Sequence, residues 1–172
     1  MEIFAFRLNF PRKGRVLCYW HILKGAIMQE FPHHYSVTAS LNPDSNVELS
    51  SNGLTTLQSA APAEFGGPGD QWSPETLLIA AVADCFVLSF KAIARASRFG
   101  WSALQCAVQG KLDRTPSGTQ FTSFDIVVKL TVPAGSDETK ARKLLQKAEH
   151  ACLITNSLKA MPDLQADVLF DT

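Results

Sequence analysis

Four cysteines and four histidines carry most of the side-chain chemistry open to this 172-residue chain. Cys18, Cys85, Cys106 and Cys152 contain no C-x-x-C pair, which argues against a zinc knuckle or a thioredoxin-like dithiol. His21, His33, His34 and His150 add only His150-x-Cys152, a spacing too weak to define a metal site. His33 and His34, adjacent at the mouth of a strand, read as a surface pair. Neither a metal nor a cofactor is expected. What remains is thiol chemistry. Cys106 falls in an alternating strand and reads as packing. Cys85 lies in an apolar stretch, where the plain reading is a small core residue. Cys152 interrupts a helix end, flanked by His150, Thr155 and Asn156.

The elements that must position these thiols follow from periodicity and punctuation. Tyr35, Val37, Ala39 and Leu41 alternate with more polar neighbours as a strand does. Asn42-Pro43-Asp44-Ser45-Asn46 turns the chain, and residues 47–51 return as the second arm of a hairpin. Residues 59–72 are rich in Gly and Pro and read as a long loop, a length often tied to function. Ser73-Pro74-Glu75 opens a helix: a capping hydroxyl, Pro at the first helical position, an acid in the first turn. From Leu77 to Ala96 the pattern is apolar almost all round, so this helix is buried in a core or an interface. Gly100 suits its stop.

Two strands are predicted over 102–112 and 119–132, around Thr115-Pro116-Ser117-Gly118. The second carries the clearest alternation in the chain: Phe124, Ile126, Val128, Leu130, Val132. Ser136, Asp137 and Glu138 start a second helix with Ala141, Leu144, Leu145 and Ala148 on its apolar face. A short helical piece runs toward Lys159, and residues 164–170 form a last strand. The order ββ-α-ββ-α-β is α+β.

Charge and composition narrow the classes. Sixteen basic side chains balance sixteen acidic ones, and 46% of residues are apolar, as in an ordinary globular protein. Bulk electrostatic binding of nucleic acid or a membrane surface is not expected. The longest apolar run, Leu77 to Phe90, is interrupted by Asp84 and is too short to span a bilayer. The balance is uneven, however. Residues 1–27 carry Arg7, Arg12, Lys13, Arg15 and Lys24 against Glu2 alone, whereas residues 28–172 carry 11 basic and 15 acidic side chains. The head lacks the order of a secretory signal. Lys24-Gly25-Ala26 can be encoded by a run containing AAGGAG, a ribosome-binding sequence, just ahead of Met28. Residues 1–27 are therefore expected to be an extension from a mis-assigned start, with a single domain over 28–172.

Two stretches resemble a known family. Residues 72–86 (WSPETLLIAAVADCF) are similar to the helix motif of the OsmC/Ohr proteins, the osmotically inducible and organic hydroperoxide resistance proteins. Residues 148–156 (AEHACLITN) resemble the second cysteine motif of that family. The likeness extends in element order over residues 33–170. It implies antiparallel sheets packed on two main helices, an intertwined homodimer, and active sites shared between subunits. It further implies that Cys85 attacks a peroxide and that Cys152 resolves the resulting sulfenic acid into a disulfide. Such chemistry needs both, because a sulfenic acid left alone over-oxidises. The implied substrate is an organic hydroperoxide or hydrogen peroxide, and the implied reductant a dithiol, of lipoyl type in the family.

The resemblance also implies an arginine from the N-terminal hairpin, oriented by a glutamate that matches Glu75. Glu75 precedes Cys85 by ten residues, about 15 Å of helix rise, so it cannot serve that thiol within one subunit. A site completed across a dimer interface is expected. The arginine itself is missing, since no Lys or Arg occurs between Met28 and Lys91. An ordinary thiol has a pKa of about 8.5 and is only a few per cent ionised at pH 7, so its activation is the open chemical question. Cys85 lies too deep in its helix for the dipole to help, and a nearby Asp84 carboxylate would oppose ionisation. Two functions are expected from these residues: a Cys85–Cys152 peroxidase, or a dimeric binding or redox-sensing relative with weakly activated cysteines. Free cysteines and the lack of an export signal favour a reducing cytoplasm.

Overall fold

The computed structural model describes residues 30–172. The basic head, with Cys18 and His21, lies outside the described residues. The chain divides after Ser36, and the unit from Val37 to Thr172 carries every described helix and strand.

That unit holds two three-stranded sheets and two helices. The first sheet is an antiparallel meander of β1 (Thr38–Ser40), β2 (Val47–Ser50) and β3 (Leu57–Ser59). The sequence anticipated the hairpin but not β3, which pairs Val47 with Ser59 and Leu49 with Leu57. Three residues are too few to display a period. The first strand is also shorter than the alternation of Tyr35, Val37, Ala39 and Leu41 implied. All three β1 residues are exposed, so no packed face extends the strand.

The second sheet carries the core. β4 (Ala103–Thr115) and β5 (Gly118–Val132) form a long antiparallel hairpin with Thr115 opposite Gly118. β6 (Pro162–Phe170) then pairs with β5 in parallel, Ile126 opposite Leu164 and Leu130 opposite Val168. This departs from the purely antiparallel sheets that were expected. The cause is the crossover: α2 (Glu138–Ala151) connects β5 to β6 and returns the chain to the same end of the sheet.

Both helices cover one face of this sheet. Phe124, Ile126, Val128, Leu130 and Val132 are buried from β5, while Asp125 and Lys129 between them are exposed. Against them lie Val82, Phe86, Phe90 and Ala94 of α1 (Pro74–Ala96), and Ala141, Leu144, Leu145 and Ala148 of α2. Phe90 meets Trp101 edge to face at 5.6 Å.

α1 begins as its sequence requires. Thr76 N–H donates to Ser73 Oγ at 3.2 Å, and Ser73 N–H donates to Thr76 Oγ1 at 2.8 Å, a reciprocal capping box with Pro74 following. It ends earlier than Gly100 suggested. Arg98 takes the left-handed conformation (φ 48°), and Phe99 N–H closes back onto Ala94 O at 2.9 Å. By length and composition alone α1 is apolar enough to cross a membrane, yet it is bedded on the sheet along one side.

Candidate functional site

Cys85 sits midway along α1, half-buried, on the turn before Phe86 enters the core. Cys152 ends α2 and is fully buried. Packing of α1 against α2 brings the two thiols together, and both are free. Their 67-residue separation in sequence is closed by helix packing alone.

The electrostatics of Cys85 follow from four local effects. Burial pushes its pKa up, the largest influence. The backbone N–H of Ile154 opposes that by favouring the thiolate. The neighbouring Cys152 thiol raises the pKa again, and the Leu153 N–H lowers it. The net shift is upward. Asp84, exposed on the outer side of α1, is not among the groups that act on Cys85, so its expected opposition is absent. Cys106 faces the core from β4, as a packing residue should. Burial first, then the charge of Cys152, push its thiol up to about 11.

Glu75 lies in the first turn of α1, ten residues before Cys85. It lines a cavity of about 370 Å³ together with Phe65, Ile79, Gly110, Leu112 and Phe121. Its Oε2 is buried and accepts no hydrogen bond from the described residues. Gly110 makes room here, because a Cβ on it would come within 2.3 Å of Ile79 Cδ1 and 2.9 Å of Phe121 Cε1. The structure thus joins Cys85 with Cys152 and keeps Glu75 apart, one helix end from the thiols. No cluster of three or more metal-ligating side chains occurs among the described residues. His150 Nδ1 lies 3.0 Å from the Glu149 carboxylate. The His33 ring leans on that of Phe31, centroids 4.6 Å apart.

The short helical piece expected toward Lys159 is a single turn and ends at Ser157. Thr155–Ser157 forms a 3-10 turn whose side chains bond back to the backbone. Thr155 Oγ1 donates to Cys152 O at 3.1 Å, Asn156 Nδ2 to His150 O at 3.0 Å, and Ser157 Oγ to Leu153 O at 2.8 Å. Sequence reasoning missed these side-chain bonds, for which three consecutive Thr, Asn and Ser residues were the available signal, since these types favour such local bonds.

With this geometry in hand, comparison with known proteins is specific. The profile of the OsmC-like protein family matches residues 67–167, a span holding both cysteines and Glu75. An uncharacterised Bacillus subtilis protein, YmaD, is 26% identical over 141 residues, covering 78% of this chain and 93% of the relative. An organic hydroperoxide resistance protein of Xanthomonas axonopodis pv. citri is 29% identical over 121 residues, covering 67% and 80%. Among solved structures, an OsmC-like protein of unknown function from Vibrio cholerae superposes with a TM-score of 0.74 at 17% identity, covering 79% of this chain and all of that one. An organic hydroperoxide resistance protein from Legionella pneumophila gives 0.63 at 24% identity, covering 80% and 99%. At such identities the structural likeness establishes the fold.

Proposed function

Because this chain belongs to the OsmC-like protein family, we propose that it is a thiol peroxidase that reduces organic hydroperoxides through Cys85 and Cys152. The observation that carries this reading is the proximity of the two free thiols, close enough for Cys152 to act on the ionisation of Cys85. Relatives named for organic hydroperoxide resistance support the substrate class.

The Cys85 thiolate attacks the distal peroxide oxygen. As the S–O bond forms the O–O bond breaks, and the departing alkoxide takes a proton and leaves as an alcohol. The sulfur, oxidised by two electrons, is now a sulfenic acid. Cys152 attacks that sulfur, its own proton joins the departing hydroxide, and water leaves as the disulfide forms. A dithiol reductant, of lipoyl type by analogy, restores both thiols and is itself oxidised to a disulfide. No metal or cofactor takes part.

Glu75 is assigned to the site of a second subunit in an intertwined homodimer. Three features support this: the helix rise between Glu75 and Cys85, the unpartnered Oε2, and a β1 strand exposed on all its residues. The dithiol donor fits a reducing, cytoplasmic setting.

The second reading, a redox-sensing or binding protein without turnover, is favoured by the upward shift of Cys85 and the lack of Lys or Arg between Met28 and Lys91. One experiment separates the two. Reduced protein receives stoichiometric cumene hydroperoxide, and thiol loss is followed in wild type and Cys85→Ser. Rapid loss with a Cys85–Cys152 disulfide, absent from the variant, supports the peroxidase. Loss no faster than that of free cysteine leaves the sensor or binder.

A further inference from the structure

The Gly/Pro-rich loop of residues 59–72 builds one wall of the cavity that holds Glu75. Within it a 3-10 turn, Ala63–Phe65, is closed by the N–H groups of Phe65 and Gly67, both donating to Pro62 O at 3.0 Å. Gly67 lets the loop fold this tightly, since a Cβ there would lie 1.7 Å from Ala61 O. Ala60 N–H ties the start of the loop to its end through Trp72 O, at 2.9 Å. So anchored, the loop sets Glu64 and Phe65, both exposed, at the mouth of the cavity. Ile79, Leu112 and Phe121 form its apolar interior, kept open by the missing side chain of Gly110. At about 370 Å³ the space suits a small ligand.

The polar groups of the cavity say which ligand. Its ionisable side chains are Glu64 and Glu75, with no Lys, Arg or His among the lining residues. Glu75 Oε2 is buried and has no donor among the described residues, and a buried acceptor in that state is unfavourable until a ligand supplies one. The first turn of α1 offers an anion little in return. Pro74 has no N–H, and the Thr76 N–H is already taken by Ser73 Oγ at 3.2 Å. The geometry points to a cavity for apolar ligands that end in a cationic, hydrogen-bond-donating head, a primary ammonium seated on Glu75, and against ligands that end in a carboxylate. Apolar walls around that pair lower the local dielectric and strengthen it. Glu64 at the mouth draws cations in and repels anions. Inside a peroxidase, such a cavity selects amine-bearing and uncharged hydroperoxides over those bearing a carboxylate. That consequence rests on the peroxidase reading, whereas the binding preference does not.

The test is isothermal titration calorimetry of the reduced full chain with three probes of one length: hexylammonium, hexanol and hexanoate. Wild type should bind hexylammonium about tenfold more tightly than hexanol, as a hydrogen bond between charged groups implies, and hexanoate least tightly. Glu75→Gln should bring hexylammonium down to the level of hexanol. Gly110→Ala, which narrows the cavity, should weaken all three probes without changing their order. Hexanoate bound as tightly as hexylammonium, or no probe bound at all, overturns the proposal in wild type, even where a variant fails to fold. An unchanged preference in Glu75→Gln, with unchanged melting temperature, overturns it as well, as does unweakened binding in Gly110→Ala. Calorimetry needs no peroxide, so the two readings fail separately. Ammonium preference in a protein inert to cumene hydroperoxide upholds the selectivity of the cavity and sinks the peroxidase. Turnover of cumene hydroperoxide with hexanoate bound as tightly as hexylammonium does the reverse.

Discussion

A half-buried thiol next to another thiol is a slow nucleophile until something stabilises its charge. At Cys85, burial and Cys152 act against the thiolate while two backbone N–H groups act for it, and the balance lies above the ordinary thiol value. The sign of the pH dependence follows. Cys85 is predominantly neutral at pH 7, so its reaction with hydroperoxide or iodoacetamide should quicken by about tenfold per pH unit well into the alkaline range. A plateau reached below pH 8 in a stopped-flow profile would contradict the upward shift. Cys106 yields a stability prediction with its own sign. Its folded pKa of about 11 exceeds that of an unfolded thiol, so the folded state holds its proton more tightly. That contribution is complete below the unfolded value and is lost as pH climbs toward 11. Denaturant midpoints of wild type should fall across this window, and those of Cys106→Ala should fall less.

At the scale of elements, α1 is the part on which the site depends, and its start is fixed by a buried serine. Ser73 accepts from Thr76 N–H and returns its own N–H to Thr76 Oγ1. Ser73→Ala should cost about 1–2 kcal/mol, measured by urea denaturation, since the capped amide is left without a partner. The floor of the Glu75 cavity responds to volume. Gly110→Ala places a methyl against Ile79 and the Phe121 ring; the isoleucine terminus can swing aside but the ring is stacked on Phe124 at 5.3 Å. A loss of about 1 kcal/mol is expected from overpacking. Much of this element was legible beforehand. Ser73-Pro74 announced its start because capping is local chemistry, and the alternation of Phe124 to Val132 announced β5 because a half-buried sheet imposes a period of two. The helix end was misplaced because Arg98, not a glycine, adopts the left-handed turn. β3 was missed because its pairing with β2 is set by a neighbour, not by its own three residues.

For the whole molecule, the second subunit is the decisive proposal. β1 is exposed throughout, Leu88 on α1 is 54% exposed, and a buried Glu75 oxygen has no partner among the described residues. Sedimentation at micromolar concentration should give one species of twice the chain mass, and a monomer would remove Glu75 from the site. The sequence by itself determined which residues are able to react and which helix motif carries the first of them, because thiol chemistry and helix capping depend on residue type and near neighbours. It also exposed the lack of Lys and Arg between Met28 and Lys91. Only the tertiary structure decided that Cys85 and Cys152 come together and that β6 runs parallel to β5. Those facts depend on how α1 lies against α2 and the turn beyond it. Contacts between groups distant along the chain leave no period in the sequence.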